Sequence, residues 1–267
     1  MLRLGAIVVE HNPLYTPREL RHQFEDHGAR VVIAWDKVVE TIQEFPRRRA
    51  RRDDHLGGCH ARHAVRHAGR PAPPHREGAR VACGADHQSA RCDHMGAGPE
   101  DGAHRCAHRR PPLASDVALI QYTSGTTGSP KGATLSHANL LANAEQARSW
   151  VPEIPRGTSV VYAVLPMFHA YGLTLCLTFA MSMGARLVLF PKFEPDLVLK
   201  VVKKRPATFL PAVPPIYDRL TKAAAVEGVS LEGIEIAISG AMPLSPEVVD
   251  PWERATGGYL VEGYGLS

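Results

Sequence analysis

No stretch of this chain approaches the roughly 20 consecutive apolar residues that a membrane-spanning helix requires. The most apolar run, residues 173–183, falls well short. Residues 1–10 hold too short an apolar run for a secretory leader. A cytoplasmic location is therefore expected, with the five cysteines reduced. Those cysteines include no Cys-x-x-Cys pair, the spacing on which structural zinc sites are built. A Walker phosphate loop is absent too: it needs Gly before its Lys and Ser or Thr after, whereas here Pro130 precedes Lys131 and Gly132 follows. No internal repeat is present.

The most lopsided absence is local. Residues 47–113 contain no Lys, Ile, Phe, Tyr, Trp, Thr or Asn, and their apolar anchors shrink to Leu56, Val65, Val81, Met95 and Leu113. Nothing in the stretch is periodic, so it is expected to form no core and to be disordered. Three readings compete for it. A metal-bearing insert would use Cys83 and His87, Cys92 and His94, and Cys106 and His108, but without the paired zinc spacing. A nucleic-acid arm would use the arginines, but without aromatics or a helical pattern. The favoured reading is out-of-frame translation between two compensating shifts in a GC-rich gene, which yields Arg, Ala, Gly and Pro. The stretch holds 14 Arg against 7 Asp and Glu, a net +7, while the whole chain is +4, so the remainder is −3. The basic balance thus gives no reason to expect a nucleic-acid partner.

Outside that stretch the composition is ordinary, 44% hydrophobic overall, and 267 residues suffice for one large α/β domain or two. The most informative segment is Tyr122-Thr123-Ser124-Gly125-Thr126-Thr127-Gly128-Ser129-Pro130-Lys131-Gly132. It is too polar for core and too rich in glycine for a helix. Glycines let backbone N–H groups close on an anion, hydroxyls add donors, and a lysine adds a mobile positive charge suited to phosphate. Residues 117–122 read as a strand entering this loop and 133–135 as a short strand leaving it. Ser136 reads as the N-cap of a helix with apolar positions Leu140, Ala144, Ala147 and Trp150. The loop therefore joins two strands, and any phosphate grip comes from its own amides, hydroxyls and Lys131.

From residue 115 onward apolar strands alternate with helical stretches. Strands are expected at 160–165, 186–190, 208–210, 234–238 (cleanly alternating) and 259–261. Helices are expected at 173–183, 196–204, 216–222 and after Ser245-Pro246-Glu247. This pattern predicts an α/β fold with a mostly parallel sheet flanked by helices. Ligands in such sheets sit beyond the carboxyl ends of the strands. Residues 122–132, 166–172, 239–243 and 262–265 each follow a strand, so four unusual turns are expected on one edge.

These segments resemble, in order, motifs of the adenylate-forming (AMP-binding) superfamily, specifically the fatty-acid–CoA ligases. The loop resembles its phosphate loop. Leu4-Gly5-Ala6-Ile7-Val8-Val9 with Asn12-Pro13-Leu14-Tyr15 resembles the segment upstream, and Pro166-Met167-Phe168-His169-Ala170-Tyr171-Gly172 its acyl-site turn. Ser239-Gly240-Ala241-Met242-Pro243-Leu244 and Glu262-Gly263-Tyr264-Gly265-Leu266-Ser267 resemble its two adenine-contacting turns. The resemblance covers about 1–46 and 114–267. It implies a fragment of the N-terminal subdomain at 1–46 and a central adenylation region at 114–267, separated by 47–113.

The resemblance also implies roles. Thr123, Ser124, Thr126, Thr127 and Lys131 would bind the ATP phosphates, with Gly125 and Gly128 shaping the loop and Thr123 as a weak Mg²⁺ ligand. Gly240 and Ala241 would lie on the adenine edge, and Tyr264, between Gly263 and Gly265, would stack on the purine; on its own it reads equally as a buried strand-end tyrosine. His169 would lie beside the carboxylate, near an apolar acyl site formed with Phe168 and Tyr171; on its own it reads as a structural histidine. The implied reaction joins a fatty acid to coenzyme A through an acyl-adenylate, with ATP and Mg²⁺ and no covalent protein nucleophile. Cys176, inside an apolar helical run, is then expected to be core. Peripheral membrane contact is compatible with such a substrate.

Two features of the family lie beyond this sequence: a Mg²⁺-binding glutamate next after Ser267, and further on a ribose-binding aspartate, a hinge and a small domain with a lysine. Turnover of the chain as written is therefore expected to be low. A ligase, a non-catalytic ATP- or AMP-binding remnant and an unstable product remain as alternatives at this point.

Overall fold

The computed structural model describes residues 1–45, 79–83, 111–123 and 130–265. The chain divides into two units, one of Met1–Val8 with Pro112–Ser267 and one of Val9–Pro111. Strand β1 (Val8–Glu10) carries the division.

The second unit contains helix α1 (Pro17–His27), strand β2 (Val31–Trp35), helix α2 (Asp36–Gln43) and strand β3 (Ala79–Cys83). Helix α1 begins with a reciprocal cap. The Glu19 N–H donates to Thr16 Oγ1, and the Thr16 N–H donates to Glu19 Oε2 at 2.8 Å, with Pro17 in the first turn. It ends at Gly28, whose φ of 58° suits glycine. Strand β3 lies within the stretch expected to form no core, and it pairs antiparallel with β2, with Val81 opposite Ile33. Backbone pairing needs only N–H and C=O groups, so a five-residue strand can form without side-chain periodicity. Apart from Cys83, the Cys and His residues proposed as metal ligands lie outside the described residues.

In the first unit, β4 (Val117–Thr123) and β5 (Lys131–Ser136) form an antiparallel hairpin. Helix α3 (His137–Trp150) follows with the expected cap: the Asn139 N–H donates to Ser136 Oγ at 3.2 Å, and the Ser136 N–H donates to Asn139 Oδ1 at 2.9 Å. Ala144 is the buried residue of α3, whereas Trp150 is 86% exposed and not part of a buried stripe. It is the last helical residue, and Val151 turns inward in its place.

The larger sheet is wholly parallel, with order β10-β9-β8-β6-β7. Its strands are β6 (Val160–Ala163), β7 (Arg186–Leu189), β8 (Phe209–Ala212), β9 (Ile236–Ser239) and β10 (Tyr259–Glu262). Between them run α4 (Ala170–Gly172), a π-helical segment (Leu173–Thr178), α5 (Phe179–Met183), α6 (Pro195–Val202), α7 (Pro214–Glu227) and α8 (Pro246–Thr256). Successive residues of the central strands feed two cores. Tyr162, Leu210 and Ala237 pack with Leu199, Tyr217, Leu220 and Trp252. Val161, Phe209 and Ile236 pack with Phe179, Ala180 and Met183. The alternation expected in 234–238 is therefore between two buried faces, because helices cover the parallel sheet on both sides.

Candidate functional site

The hairpin sets the first turn. Thr123 pairs with Lys131 and Tyr122 with Gly132 across it, so the loop leaves and re-enters between two hydrogen-bonded strands, as its sequence suggested. The Thr123 hydroxyl donates to the Lys131 carbonyl at 3.5 Å, and the Lys131 side chain is exposed. A Cβ on Gly132 would lie 2.7 Å from Ile120 Cγ2 and 3.3 Å from the Tyr122 ring, so glycine lets those side chains lie across β5. Ser124, Gly125, Thr126, Thr127, Gly128 and Ser129 lie outside the described residues.

The second turn, 166–172, follows β6. His169 is exposed and backbone-extended just before α4, and its ring lies 5.7 Å from that of Phe168. Its N–H donates to the Pro166 carbonyl at 3.3 Å, and its carbonyl accepts from the Leu173 N–H at 2.7 Å. Gly172 is required by contact: a Cβ there would sit 2.2 Å from the Pro166 carbonyl oxygen. The expected helix over 173–183 starts as a π-helical turn, closed by the Phe179 N–H donating to the Thr174 carbonyl. Such turns recur at functional sites. Cys176 is buried in it, and burial pushes its thiol up to about 12, so it is inert core as expected.

The third and fourth turns adjoin. The Gly240 N–H donates to the Ala212 carbonyl at 3.3 Å, and the Gly263 N–H donates to the Ser239 carbonyl at 2.6 Å. Glu262 Oε1 accepts the Leu244 N–H at 3.2 Å, closing one turn onto the other. Ala241 sits at φ 65°, a left-handed conformation that costs a residue with a Cβ about 1 kcal/mol. Tyr264 is 89% exposed. A Cβ on Gly265 would meet nothing within 4 Å.

Gln121, which the sequence did not single out, and Tyr171, which it read only as lining an acyl site, join these turns. Gln121, 8% exposed near the end of β4, donates from Nε2 to the Phe168 carbonyl at 3.3 Å. The Tyr171 hydroxyl reaches the carbonyls of Ala212, at 3.1 Å, and Ile238, and its ring lies over Gly240. Burial pushes the Tyr171 phenol up, with the Cys176 sulfur adding to the effect, so it stays a neutral donor. The signal for Gln121 was legible as a lone amide on an otherwise apolar strand; that for Tyr171 was not, because its partners are backbone atoms more than 40 residues away. Among the described residues no three His, Cys, Asp or Glu side chains gather to hold a metal.

The chain matches the family model described as AMP-binding enzyme over residues 1–267. It is 32% identical to a long-chain-fatty-acid–CoA ligase of Bacillus subtilis, over 100% of this chain and 47% of that protein. It is 33% identical to one of Escherichia coli O6:H1, over 100% of this chain and 48% of that protein. The chain thus spans about half the length of the curated relatives it matches. The fold is shared with the anthranilate CoA ligase AuaEII in complex with anthranoyl-AMP, at TM-score 0.70 and 20% identity over 99% of this chain and 46% of that one. No helix among the described residues is long and apolar enough to cross a membrane. With three of its turns at the carboxyl ends of the parallel strands, the hydroxyl-rich loop at the tip of an antiparallel hairpin and a match along its whole length, this chain belongs to the AMP-binding enzyme family.

Proposed function

We propose that this chain carries the nucleotide-binding and acyl-activating part of a fatty-acid–CoA ligase. A fatty-acid carboxylate oxygen attacks the α-phosphorus of ATP, the bond to the β-phosphate breaks, and pyrophosphate leaves. The thiol of coenzyme A then attacks the acyl carbon, and AMP leaves with the electron pair of the broken acyl–oxygen bond. A cytoplasmic location goes with this reading, since ATP and coenzyme A are both available there.

The observation that carries this reading is the convergence of the turns. Gln121 ties the root of the hydroxyl-rich loop to the His169 turn, and Tyr171 ties that turn to Gly240, which adjoins Gly263. Lys131, with Thr123 and the hydroxyls of Ser124, Thr126 and Thr127, would neutralise and orient the phosphates, while Gly125 and Gly128 let the loop close. Gly240 and Ala241 would border the adenine, with Tyr264 between Gly263 and Gly265 stacking on it. His169 beside Phe168 would receive the carboxylate end of the acyl chain. Mg²⁺ would supply charge neutralisation at the phosphates. The Thr123 hydroxyl would be one oxygen ligand to it; among the described residues no three His, Cys, Asp or Glu side chains gather beside it.

Calorimetric titration with ATP tests the site. The unmodified chain is expected to bind, and Lys131→Ala to weaken binding about 10-fold or more, the scale of a lost charge-assisted phosphate contact. Binding indifferent to this substitution removes the phosphate assignment. Fatty-acid-dependent exchange of pyrophosphate into ATP tests the chemistry: ATP binding without exchange leaves a nucleotide-binding protein.

A further inference from the structure

We propose that Tyr171 is a positioning residue that sets the spacing between the His169 turn and the Gly240–Ala241 turn; its meaning for catalysis rests on the acyl-adenylate reading above. Three observations carry it. The Tyr171 hydroxyl lies 3.1 Å from the Ala212 carbonyl and within hydrogen-bond reach of the Ile238 carbonyl, near the carboxyl ends of β8 and β9. The Ala212 carbonyl is the same acceptor that takes the Gly240 N–H at 3.3 Å, so one oxygen receives both the turn's amide and the phenol. The ring itself fills the place of the missing side chain on Gly240: a Cβ there would be 3.1 Å from Tyr171 Cζ and 3.2 Å from Cε1.

A second tyrosine shows what a purely structural phenol looks like in the same layer. Tyr217 is fully buried, its ring edge-on to Trp252 with centroids 4.7 Å apart, and its hydroxyl reaches the carbonyls of Leu210 at 2.9 Å and Ile238 at 2.7 Å. Each phenol has one proton, so two hydroxyls share three carbonyls. Tyr217 lies within the core, whereas Tyr171 is only partly buried, two residues after the exposed His169. It therefore transmits the position of the strand ends to the turn bearing His169. A reaction in which a carboxylate must meet an α-phosphorus depends on that spacing, because a misplacement of about 1 Å is enough to cost a large factor in rate.

The test compares Tyr171→Phe with Tyr217→Phe in the full chain. Tyr171→Phe keeps the ring over Gly240 and removes the hydroxyl. Amide exchange at Gly240 is expected to quicken about 10-fold while exchange over 259–262 is unchanged and the melting temperature stays near wild type. Tyr217→Phe is expected to lower the melting temperature instead. Unchanged exchange at Gly240 overturns the proposal, as does global unfolding of Tyr171→Phe when Tyr217→Phe folds. Ligand binding adds the functional arm. Tyr171→Phe is expected to weaken a non-hydrolysable acyl-sulfamoyl adenosine about 10-fold more than AMP, since only the former bridges both turns. Equal weakening of the two overturns the positioning role. A wild-type chain that binds neither removes the acyl-adenylate reading, and exchange at Gly240 then decides the tether alone.

Discussion

Gln121 Nε2 donates to the backbone carbonyl of Phe168 across 3.3 Å, joining the strand that feeds the hydroxyl-rich loop to the turn that presents His169. Gln121→Leu should remove this tie and cost about 1 kcal/mol in urea unfolding, the scale of one hydrogen bond. Gln121→Glu should cost more near neutral pH, because an ionised carboxylate faces a carbonyl oxygen and has no proton to give. That excess should disappear on acidification, when the carboxyl becomes a donor. Equal stability of the two variants at all pH values argues against the bond.

Gly172→Ala should destabilise the first unit by at least about 2 kcal/mol, since the added methyl would stand 2.2 Å from a backbone oxygen that cannot rotate away. Thermal unfolding measures it, and an unchanged midpoint would mean that the 166–172 turn is arranged otherwise.

Ala241→Gly should be neutral or stabilising by up to about 1 kcal/mol, because relief at φ 65° outweighs the added freedom of the unfolded chain. Ala241→Val should destabilise, a β-branched residue being worse at positive φ. Chemical denaturation of the pair decides it: a more stable Val variant contradicts the left-handed turn.

In the second unit, His11 Nδ1 lies 2.7 Å from Gln23 Oε1, its Nε2 lies 3.1 Å from His27 Nε2, and His27 Nδ1 accepts the Ala29 N–H at 3.0 Å. One neutral arrangement satisfies every bond: His27 donates from Nε2 and His11 from Nδ1. Burial lowers the His27 pKa to about 4, with His11 adding repulsion and Asp26 opposing, and burial likewise lowers that of His11 against the Gln23 bond. Groups with depressed folded pKa contribute stability above their unfolded value of 6.5, and this is lost as pH falls toward 4. Neighbouring Glu10 works the other way: burial raises it to about 7, so its contribution is present below 4.5 and lost as pH rises through 7. Glu10→Gln should therefore stabilise the unit at pH 8 and not at pH 4, and His27→Asn should flatten the loss between pH 6.5 and 4. Unfolding followed by hydrogen exchange against pH checks both signs.

Cys176 should resist alkylation in the folded chain at pH 8 and react on unfolding, because it is buried and its thiol is held near 12. Peptide mass spectrometry reads this directly, and rapid labelling of the native protein would place Cys176 at the surface.

Much of the first unit was legible in its residues. Short apolar runs alternating with helical stretches, proline after a serine cap, and glycine where a helix ends are local physics, so β6 to β10 and their helices fall where the pattern put them, within a few residues. Local rules misjudged what depends on neighbours. Trp150 fits a helical stripe yet ends exposed, because the helix stops there and Val151 takes the inward place. The stretch around β3 has no periodicity, yet a partner strand gives its backbone somewhere to bond.

By itself the sequence determined the kinds of element, the hydroxyl, glycine and lysine content of the loop from Thr123 to Lys131, and the family. Tertiary structure alone decided that Gln121 meets Phe168 and that Tyr171 meets Ala212 and Gly240, because those contacts are made to backbone atoms 41 to 69 positions away, whose place follows from strand order. A side chain's type travels with the chain; the oxygen it finds depends on which strand the sheet sets beside it.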